Sequence, residues 1–307
     1  MSVDLSKAIG YQLQDQPVAW TKKDLLLYAV GIGAKKDDLP FVYELDKSFA
    51  AFPTFPVVLN LKGQSTDVTD FNKLVQDSEP VPGLPKFDPR RIVHGSQSIE
   101  SLKPLPTESG GDWKLKRRII GIHENKSGVI VEVETLLVDG NGVPYSRMVS
   151  ATFNVGGKAT GQKFSRVIAV APSPQAVPNE RTPDHVVTEA TSEEQAIIYR
   201  LSGDFNPLHI DPRPGQKAGF GGAILHGLST FGFAARAVLK AVGNNDPTAL
   251  LAFGARFTSP VKPGDSLETS TWRMSESVDG VIEVAFLTKN LTSGKVSMIG
   301  DEVMRPS

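Results

Sequence analysis

Three side chains suited to proton transfer, Asp204, Asn206 and His209, lie within the short segment 199–212, YRLSGDFNPLHIDP. The two prolines of this segment oppose helix formation around them, so the three side chains are expected on a rigid, non-helical loop. A carboxylate, an amide and an imidazole held together can bind a water molecule and move its protons. The segment therefore predicts an acid–base site.

A glycine-rich segment, AGFGGAILHG at 218–227, follows and leads into a predicted helix at Gly227–Val242. The N–H of Gly227 would have no partner within that helix and could stabilise negative charge on a substrate oxygen. The alternative is that Asp204 and Asn206 only shape a turn and that His209 is structural. The combination of a base, an acid and an oxyanion donor in one stretch favours a catalytic site.

The predicted helix 227–242 is apolar almost all round, which is typical of a buried helix. Upstream of it, two short segments resemble each other. Thr21–Asp24 precedes LLLYAVG and Ser192–Gln195 precedes AIIYRLSG. Each predicts a capping box at a helix start, with Gly31 and Gly203 as the residues just after the helix ends. We therefore expect a duplicated domain.

Strand-like runs separated by turn signals fill most of the rest of the chain. They lie at 114–123, 128–138 and 144–155 in the first half, and at 250–258, 266–274, 281–288 and 295–303 in the second. A long helix wrapped by an antiparallel sheet in each half predicts an α+β fold whose two copies pair as an internal dimer. The predicted boundaries are a first domain at 1–160, a Gly- and Pro-rich linker at 161–184 and a second domain at 185–307.

Composition excludes several classes of protein. The 33 Lys and Arg nearly balance the 34 Asp and Glu, so no overall field attracts nucleic acid or an anionic membrane. No apolar run is long enough to predict membrane insertion. The absence of cysteine rules out disulfides, a thiolate nucleophile and cysteine-bound zinc, and it suits a reducing compartment. The spacing of the histidines predicts no metal site.

The segment 199–238 resembles the signature of the hydratase 2 family, the MaoC-like (R)-specific 2-enoyl-CoA hydratases, and RFTSPVKPGD at 256–265 extends the match. The first half is similar to the same family at LPFVYE, FPTF, IVHG and KPLP. The resemblance implies a tandem (double) hot-dog fold, as in the hydratase part of eukaryotic peroxisomal multifunctional enzymes. It also implies reversible hydration of trans-2-enoyl-CoA to (3R)-hydroxyacyl-CoA in fatty acid β-oxidation, with an acyl-CoA thioester as the substrate and no cofactor.

The resemblance also implies roles for individual residues. Asp204 and His209 match the catalytic pair, Asn206 lies between them, and Gly227 matches the main-chain oxyanion donor. The positions that match substrate contacts are His94, Gly95, Lys126, Phe257 and Glu44, the first four toward CoA. Lys126 is equally compatible with a solvated turn lysine, and Glu44 with an ordinary surface or ion-pair role.

Only the second half carries the catalytic residues. The first half has Ile32 and Gly33 where the second has Asp204, and it has no histidine that corresponds to His209. The first half is therefore expected to be non-catalytic and to form a wall for the acyl chain and CoA. The candidate wall residues, for which plain core is the alternative, are Phe52, Phe55, Val57, Val58 and Leu59.

Two other functions remain open. A hot-dog thioesterase would bind the same acyl-CoA, and the spacing of Asp204, Asn206 and His209 disfavours it. A non-catalytic acyl-CoA binding protein has no need for a polar cluster facing an apolar tunnel, where unpaired polar groups cost stability. A homodimer is also compatible with the sequence, although the internal pairing of two copies could replace it.

The family resemblance implies a peroxisomal location. The printed sequence ends Arg305-Pro306-Ser307, and Lys-Leu after it would complete a peroxisomal address. We therefore expect either such an extension or entry with a partner, and otherwise a cytoplasmic location.

Overall fold

A computed structural model describes residues 3–76, 80–88, 91–170, 176–178 and 180–305 of the chain. The last two residues, Pro306 and Ser307, on which the predicted peroxisomal address depends, lie outside this part. Within the described ranges, none of the helices has the length and apolar character needed to cross a lipid bilayer.

The strands form one eleven-stranded antiparallel sheet in the order β1-β3-β4-β5-β2-β8-β11-β10-β9-β7, with β6 paired to β3. The strands are β1 (Gln16–Val18), β2 (Ile92–Ser101), β3 (Trp113–Asn125), β4 (Gly128–Val138), β5 (Pro144–Val155), β6 (Phe164–Val167), β7 (His185–Ala190), β8 (Leu250–Phe257), β9 (Ser266–Glu276), β10 (Ile282–Asn290) and β11 (Val296–Met304). All seven strand-like runs seen in the sequence are strands here.

The helices lie mostly before the long strands of each half. They are α1 (Leu5–Ala8), α2 (Lys22–Gly31), α3 (Leu39–Val42), α4 (Leu59–Lys62), α5 (Phe71–Gln76), α6 (Gln195–Tyr199), α7 (Pro212–Lys217) and α8 (Gly227–Val242). Short 3-10 turns lie at Phe55–Val58, Arg200–Ser202 and Pro207–His209. The buried helix α8 has the predicted bounds.

The expectation of a long helix in each half holds only for the second half. There α8 has 16 residues, whereas the longest helix in the described part of the first half is α2, with 10. The first half has instead a 3-10 turn followed by α4, which ends where Gly63 takes a positive φ of 57°. Such a backbone conformation stops a right-handed helix.

The two halves pair edge to edge through β2 and β8. Their register runs from Ser96 opposite Arg256 to Glu100 opposite Ala252. One continuous sheet therefore passes through both copies, which confirms the α+β fold with internal pairing. The apolar core is also shared, because residues of α2, α4 and α8 belong to one buried cluster.

The helix-start predictions have different outcomes in the two halves. The capping box at Thr21–Asp24 is present. The one expected to start at Ser192 is wrong, because α6 begins only at Gln195, whose side-chain amide donates 2.8 Å to the Gly31 carbonyl instead. Gly31 is also the last residue of α2 rather than the residue after it, and the positive φ, 83°, belongs to Gly33.

The predicted linker contains regular structure. Its residues Phe164–Val167 form β6, which pairs with β3 at the edge of the first half. Just before the linker, the buried Glu124 carboxylate of β3 accepts hydrogen bonds from the main-chain N–H groups of residues 159–161 and from the Thr160 hydroxyl. The chain leaving the first half is thus fixed to that half, and the boundaries at 160 and 184 remain a prediction.

Candidate active site

The loop that carries Asp204 is pressed against the first half. It begins at Gly203, where φ is 125° and where a Cβ atom would come within 2.7 Å of the main-chain nitrogen of Lys62 in α4. Only glycine has no Cβ and also adopts this conformation readily. The start of the loop is therefore fixed by a residue from the first half.

Asp204 and His209 face each other across a gap that suits a water molecule. Their closest atoms, Asp204 Oδ2 and His209 Nε2, are 3.9 Å apart, which is too long for a direct hydrogen bond. A water about 2.8 Å from both atoms would span that distance at an angle of roughly 90°. The pair is therefore arranged to hold a water between them.

The partner of His209 Nδ1 determines which ring nitrogen of His209 carries the hydrogen. Nδ1 lies 2.9 Å from the carbonyl oxygen of Ile224, which can only accept, so Nδ1 is the donor. Nε2, facing Asp204, is then free to accept a proton. Burial lowers the pKa of His209 below its ordinary value of 6.5, although the Asp204 charge and the Ile224 bond act in the opposite direction.

Asn206 holds the loop in shape. Its side-chain oxygen accepts a hydrogen bond from the N–H of Leu208 (3.0 Å), and its own N–H donates to Asp204 Oδ1 (3.1 Å). The second bond leaves Asp204 Oδ2 directed at His209. Asn206 thus orients the carboxylate, while its direct contact with a water remains a prediction.

The structure adds His226, one of the histidines whose spacing predicts no metal site. Its ring stacks on that of His209, with centroids 3.7 Å apart, and its Nε2 lies 3.1 Å from the main-chain oxygen of Asp204. The only sequence signal was that it directly precedes Gly227. Donor atoms of Asp204, His209 and His226 lie within 4.8 Å of one another, so the absence of a metal here stays a prediction.

Gly227 is the first residue of α8, so its N–H has no carbonyl partner within the helix and lies at the positive end of the helix dipole. The aromatic ring of Phe257 packs over it, 3.5 Å from where a Cβ atom would stand. Gly227 directly follows His226, whose ring contacts both His209 and the loop of Asp204. Its role as an oxyanion donor remains a prediction.

His94 and Gly95 of the first half approach the site from β2. The rings of His94 and Phe257 are 4.9 Å apart, and Gly95 lies at the irregularity where the register between β2 and β5 shifts. Burial lowers the pKa of His94 to about 4, despite opposing hydrogen bonds with Ser96 and Gln97. Of the predicted CoA contacts, His94, Gly95 and Phe257 are brought together with Gly227.

Lys126 and Glu44 are placed differently. Lys126 is exposed in the turn between β3 and β4, at the end of the sheet where β2 carries His94. Glu44 is exposed in a turn after α3, and no bond described for it joins it to Asp204 or His209. Contact of either residue with substrate remains a prediction.

The end of α2 joins the two elements that carry the site. The carbonyl oxygen of Gly31 accepts hydrogen bonds from the side chains of Gln195 on α6 (2.8 Å) and Ser229 on α8 (3.0 Å). Helix α6 leads into the loop of Asp204, and α8 begins with Gly227. The first half thus helps to fix the position of the Asp204 loop relative to Gly227.

Comparison with known proteins identifies two family models along the chain. Residues 19–156 match the MFE-2 hydratase 2 N-terminal domain, and residues 175–293 match the MaoC like domain. A Dictyostelium discoideum protein named "Probable enoyl-CoA hydratase 2" is 35% identical over 90% of this chain and 89% of its own length. Mouse peroxisomal multifunctional enzyme type 2 is 38% identical over 87% of this chain, which spans about a third (34%) of that enzyme.

Solved structures agree with the fold. A MaoC-like dehydratase from Phytophthora capsici superposes with a TM-score of 0.87 at 36% identity and covers 99% of this chain and 98% of its own. A Mycobacterium tuberculosis protein described as a double hotdog fold superposes with a TM-score of 0.57 at 12% identity over 96% of this chain and 95% of its own, which supports the fold alone. The tandem hot-dog prediction is confirmed.

Proposed function

The chain belongs to the 2-enoyl-CoA hydratase 2 family of double hot-dog proteins, and from this premise we propose that it catalyses the reversible hydration of trans-2-enoyl-CoA in fatty acid β-oxidation. It is a hydro-lyase in this proposal. The observation that carries it is the 3.9 Å gap between Asp204 and His209, wide enough for a water, near the N–H of Gly227, which has no partner within its own helix.

Hydration needs a proton taken from water and a proton given to Cα. The oxygen of the water bonds to Cβ while its proton passes to Asp204 or His209. The π electrons move toward the thioester oxygen, which the Gly227 N–H stabilises as an enolate. The pair then delivers one proton to Cα, so that it ends with the protonation it began with. Each proton transfer of this type typically contributes about 10²–10⁴-fold to the rate.

The alternative functions fit the geometry less well. A thioesterase directs water at the carbonyl carbon and releases a thiol, and it has no need for a second group that protonates Cα. A binding protein needs no proton-transfer groups at all. Two such groups flanking one water position, with a separate donor for the thioester oxygen, match addition across the double bond.

An absorbance assay separates these alternatives. We expect crotonyl-CoA and decenoyl-CoA to lose the ultraviolet band of the conjugated enoyl thioester without release of free thiol. Release of thiol would support the thioesterase, and no change in either signal would support the binding protein. The product is proposed to be the (3R)-hydroxyacyl-CoA. Oxidation by an (S)-specific dehydrogenase instead of an (R)-specific one would contradict the family's stereochemistry.

Cofactor, partner and location complete the proposal. Hydration neither oxidises nor reduces the substrate, so no redox cofactor is needed, and CoA enters only as part of the substrate. The name of the mouse relative supports a peroxisomal location. The chain tagged at its N-terminus should overlap a peroxisomal marker, and a purely cytosolic signal would oppose this. A homodimer is tested by sedimentation of the purified protein.

A further inference from the structure

We propose that His226 is a positioning residue of the hydration reaction, because it fixes the distance between the Asp204–His209 pair and the oxyanion donor Gly227. Its side chain is bound to the loop of Asp204, and its main chain leads directly into Gly227. One residue therefore spans the two parts of the site that must act on the same conjugated enoyl thioester. The proposal rests on the proposed function.

The hydrogen bond of His226 has a defined direction. The main-chain oxygen of Asp204 can only accept, so His226 Nε2 carries the hydrogen of the 3.1 Å bond. Its Nδ1 is buried and has no hydrogen-bond partner among the described residues. A neutral ring with hydrogen on Nε2 satisfies both observations.

The burial of His226 also favours the neutral form of its ring. His226 is 1% exposed, and burial lowers its pKa well below the ordinary value of 6.5, with a further contribution from His209. The ring lies between two others, at 3.7 Å from His209 and 5.0 Å from Tyr199, measured between centroids. His226 is thus a rigid, uncharged spacer, and its neutral face packs on His209 without competing for the proton that His209 handles.

The consequence for catalysis concerns rate more than affinity. Gly227 N–H must meet the thioester oxygen while the water meets Cβ, and a displacement of about 1 Å can cost on the order of 10²-fold in rate. Loss of the Asp204–His226 bond would let the loop and the start of α8 separate. Binding of CoA by distant contacts would change little.

Two near-isosteric variants test the hydrogen bond. The amide nitrogen of Gln in His226→Gln reaches the position of Nε2, whereas the shorter Asn in His226→Asn places its amide near Nδ1. We expect His226→Asn to lower kcat about 10–100-fold with KM within about twofold, and His226→Gln to keep at least about a third of kcat. Thr230→Val, which loses only a 3.5 Å bond within the same helix turn, is the matched control.

The proposal is overturned if the Asn variant retains kcat within about twofold, if Gln rescues no better than Asn, or if only KM changes. Nitrogen-15 NMR of the wild-type histidines provides a test that does not depend on the stability of the variants. His226 should carry hydrogen on Nε2 and His209 on Nδ1, and hydrogen on Nδ1 of His226 would exclude the bond. Wild-type protein without hydratase activity would refute the proposed function, and the NMR result would still decide the His226–Asp204 bond.

Discussion

The two halves end corresponding helices in opposite ways. After α6 in the second half, the chain turns at Gly203 and presents Asp204 to the gap that faces His209. After α2 in the first half, it presents Ile32, which is fully buried against Gly232 of α8. The side chain proposed to do chemistry in one copy corresponds to one that packs in the other. This difference supports a first half that holds the proposed site of the second half in place.

The ion pairs of a buried arginine on α8 also join the two halves. Arg236, in the middle of α8 and 1% exposed, forms ion pairs with Glu189 of β7 and, at 3.4 Å, with Asp38 of the first half. Its Nε also donates to the carbonyl oxygen of Ile32 at 3.2 Å. The buried charge of Arg236 on α8 is thus neutralised partly by Asp38 of the first half.

The largest effect is expected from changing the proton-transfer pair. Asp204→Asn and His209→Gln should each lower kcat by at least about 10²-fold while circular dichroism and Tm stay close to those of the wild type, because a general acid or base contributes that much. The matched first-half variant is His123→Gln, which removes a ring bonded to Ser165. Activity above about a tenth of wild type in Asp204→Asn would remove that residue from the mechanism.

Breaking the charge link between the halves should cost stability. Asp38→Ala leaves Arg236 buried with one counter-charge instead of two, and we expect the free energy of unfolding to fall by about 1–3 kcal/mol, because the Arg236 Nη1 donor loses its partner while the ion pair with Glu189 remains. Urea unfolding measures this change in the free energy of unfolding. The adjacent Asp37 is exposed, so Asp37→Ala should change stability by less than about 0.5 kcal/mol. Equal effects of the two variants would show that the link between the halves is weak.

Gly232→Ala tests the close packing of Ile32 from the first half against α8. A methyl group there would overlap Ile32, so we expect a loss of about 1–3 kcal/mol in unfolding free energy. The same substitution in an unhindered helix would raise stability by nearly 1 kcal/mol. In an Ile32→Ala background the loss should shrink. A stabilising Gly232→Ala in the wild type would mean that the two helices do not pack this closely.

Three histidines with lowered pKa values, two buried in the second half and one half-buried in the first, predict acid sensitivity. His94, His209 and His226 have lowered pKa values in the folded state, about 4 for His94. Below pH 6.5 the unfolded chain binds protons that the folded chain does not, so stability present above pH 6.5 is lost as pH falls toward 4. Each histidine contributes a slope of at most about 1.4 kcal/mol per pH unit. Unfolding at pH 7, 6 and 5 should show this slope, and His94→Gln should reduce it.

The smallest effect concerns the exposed Lys126 of the first half. If its ammonium group contacts a CoA phosphate, Lys126→Ala should raise KM several-fold and leave kcat unchanged, an effect of about 1 kcal/mol that weakens with salt. The neighbouring turn variant Ser127→Ala is the control. An unchanged KM at low ionic strength would leave Lys126 as a solvated turn residue and limit the first-half contacts with CoA to His94 and Gly95.

The sequence predicted the elements that are determined by residues close together along the chain. Gly- and Asn-containing turns placed the β3–β4 and β4–β5 hairpins, and an apolar pattern placed α8 at its observed bounds. It did not predict features that depend on contacts between the two halves. Gln195 looked like a capping residue because its tertiary partner, the Gly31 carbonyl, cannot be seen from local spacing. The long helix expected in the first half is likewise absent from the described residues.

The sequence likewise pointed to some residues of the candidate site and missed others. The Asp204–His209 pair and Gly227 follow from a dense motif, whereas His226 acts through ring stacking and a bond to a main-chain oxygen, which leave no spacing pattern. Phe52, Phe55 and Leu59, proposed as an acyl wall, lie in the buried core with Tyr199 and Phe231. An apolar run has the same composition in a wall as in a core, so the wall remains a prediction.

The contact between Ile32 and Gly232 also bears on how the two copies can change from here. An aspartate at position 32 would bury a carboxylate against α8 without the room that Asp204 has, and it would disturb the helix that begins with Gly227. A second proton-transfer group in the first copy would therefore damage the site proposed for the second. In terms of evolution, packing at this contact opposes two working sites, and substitutions in one copy are constrained by the other.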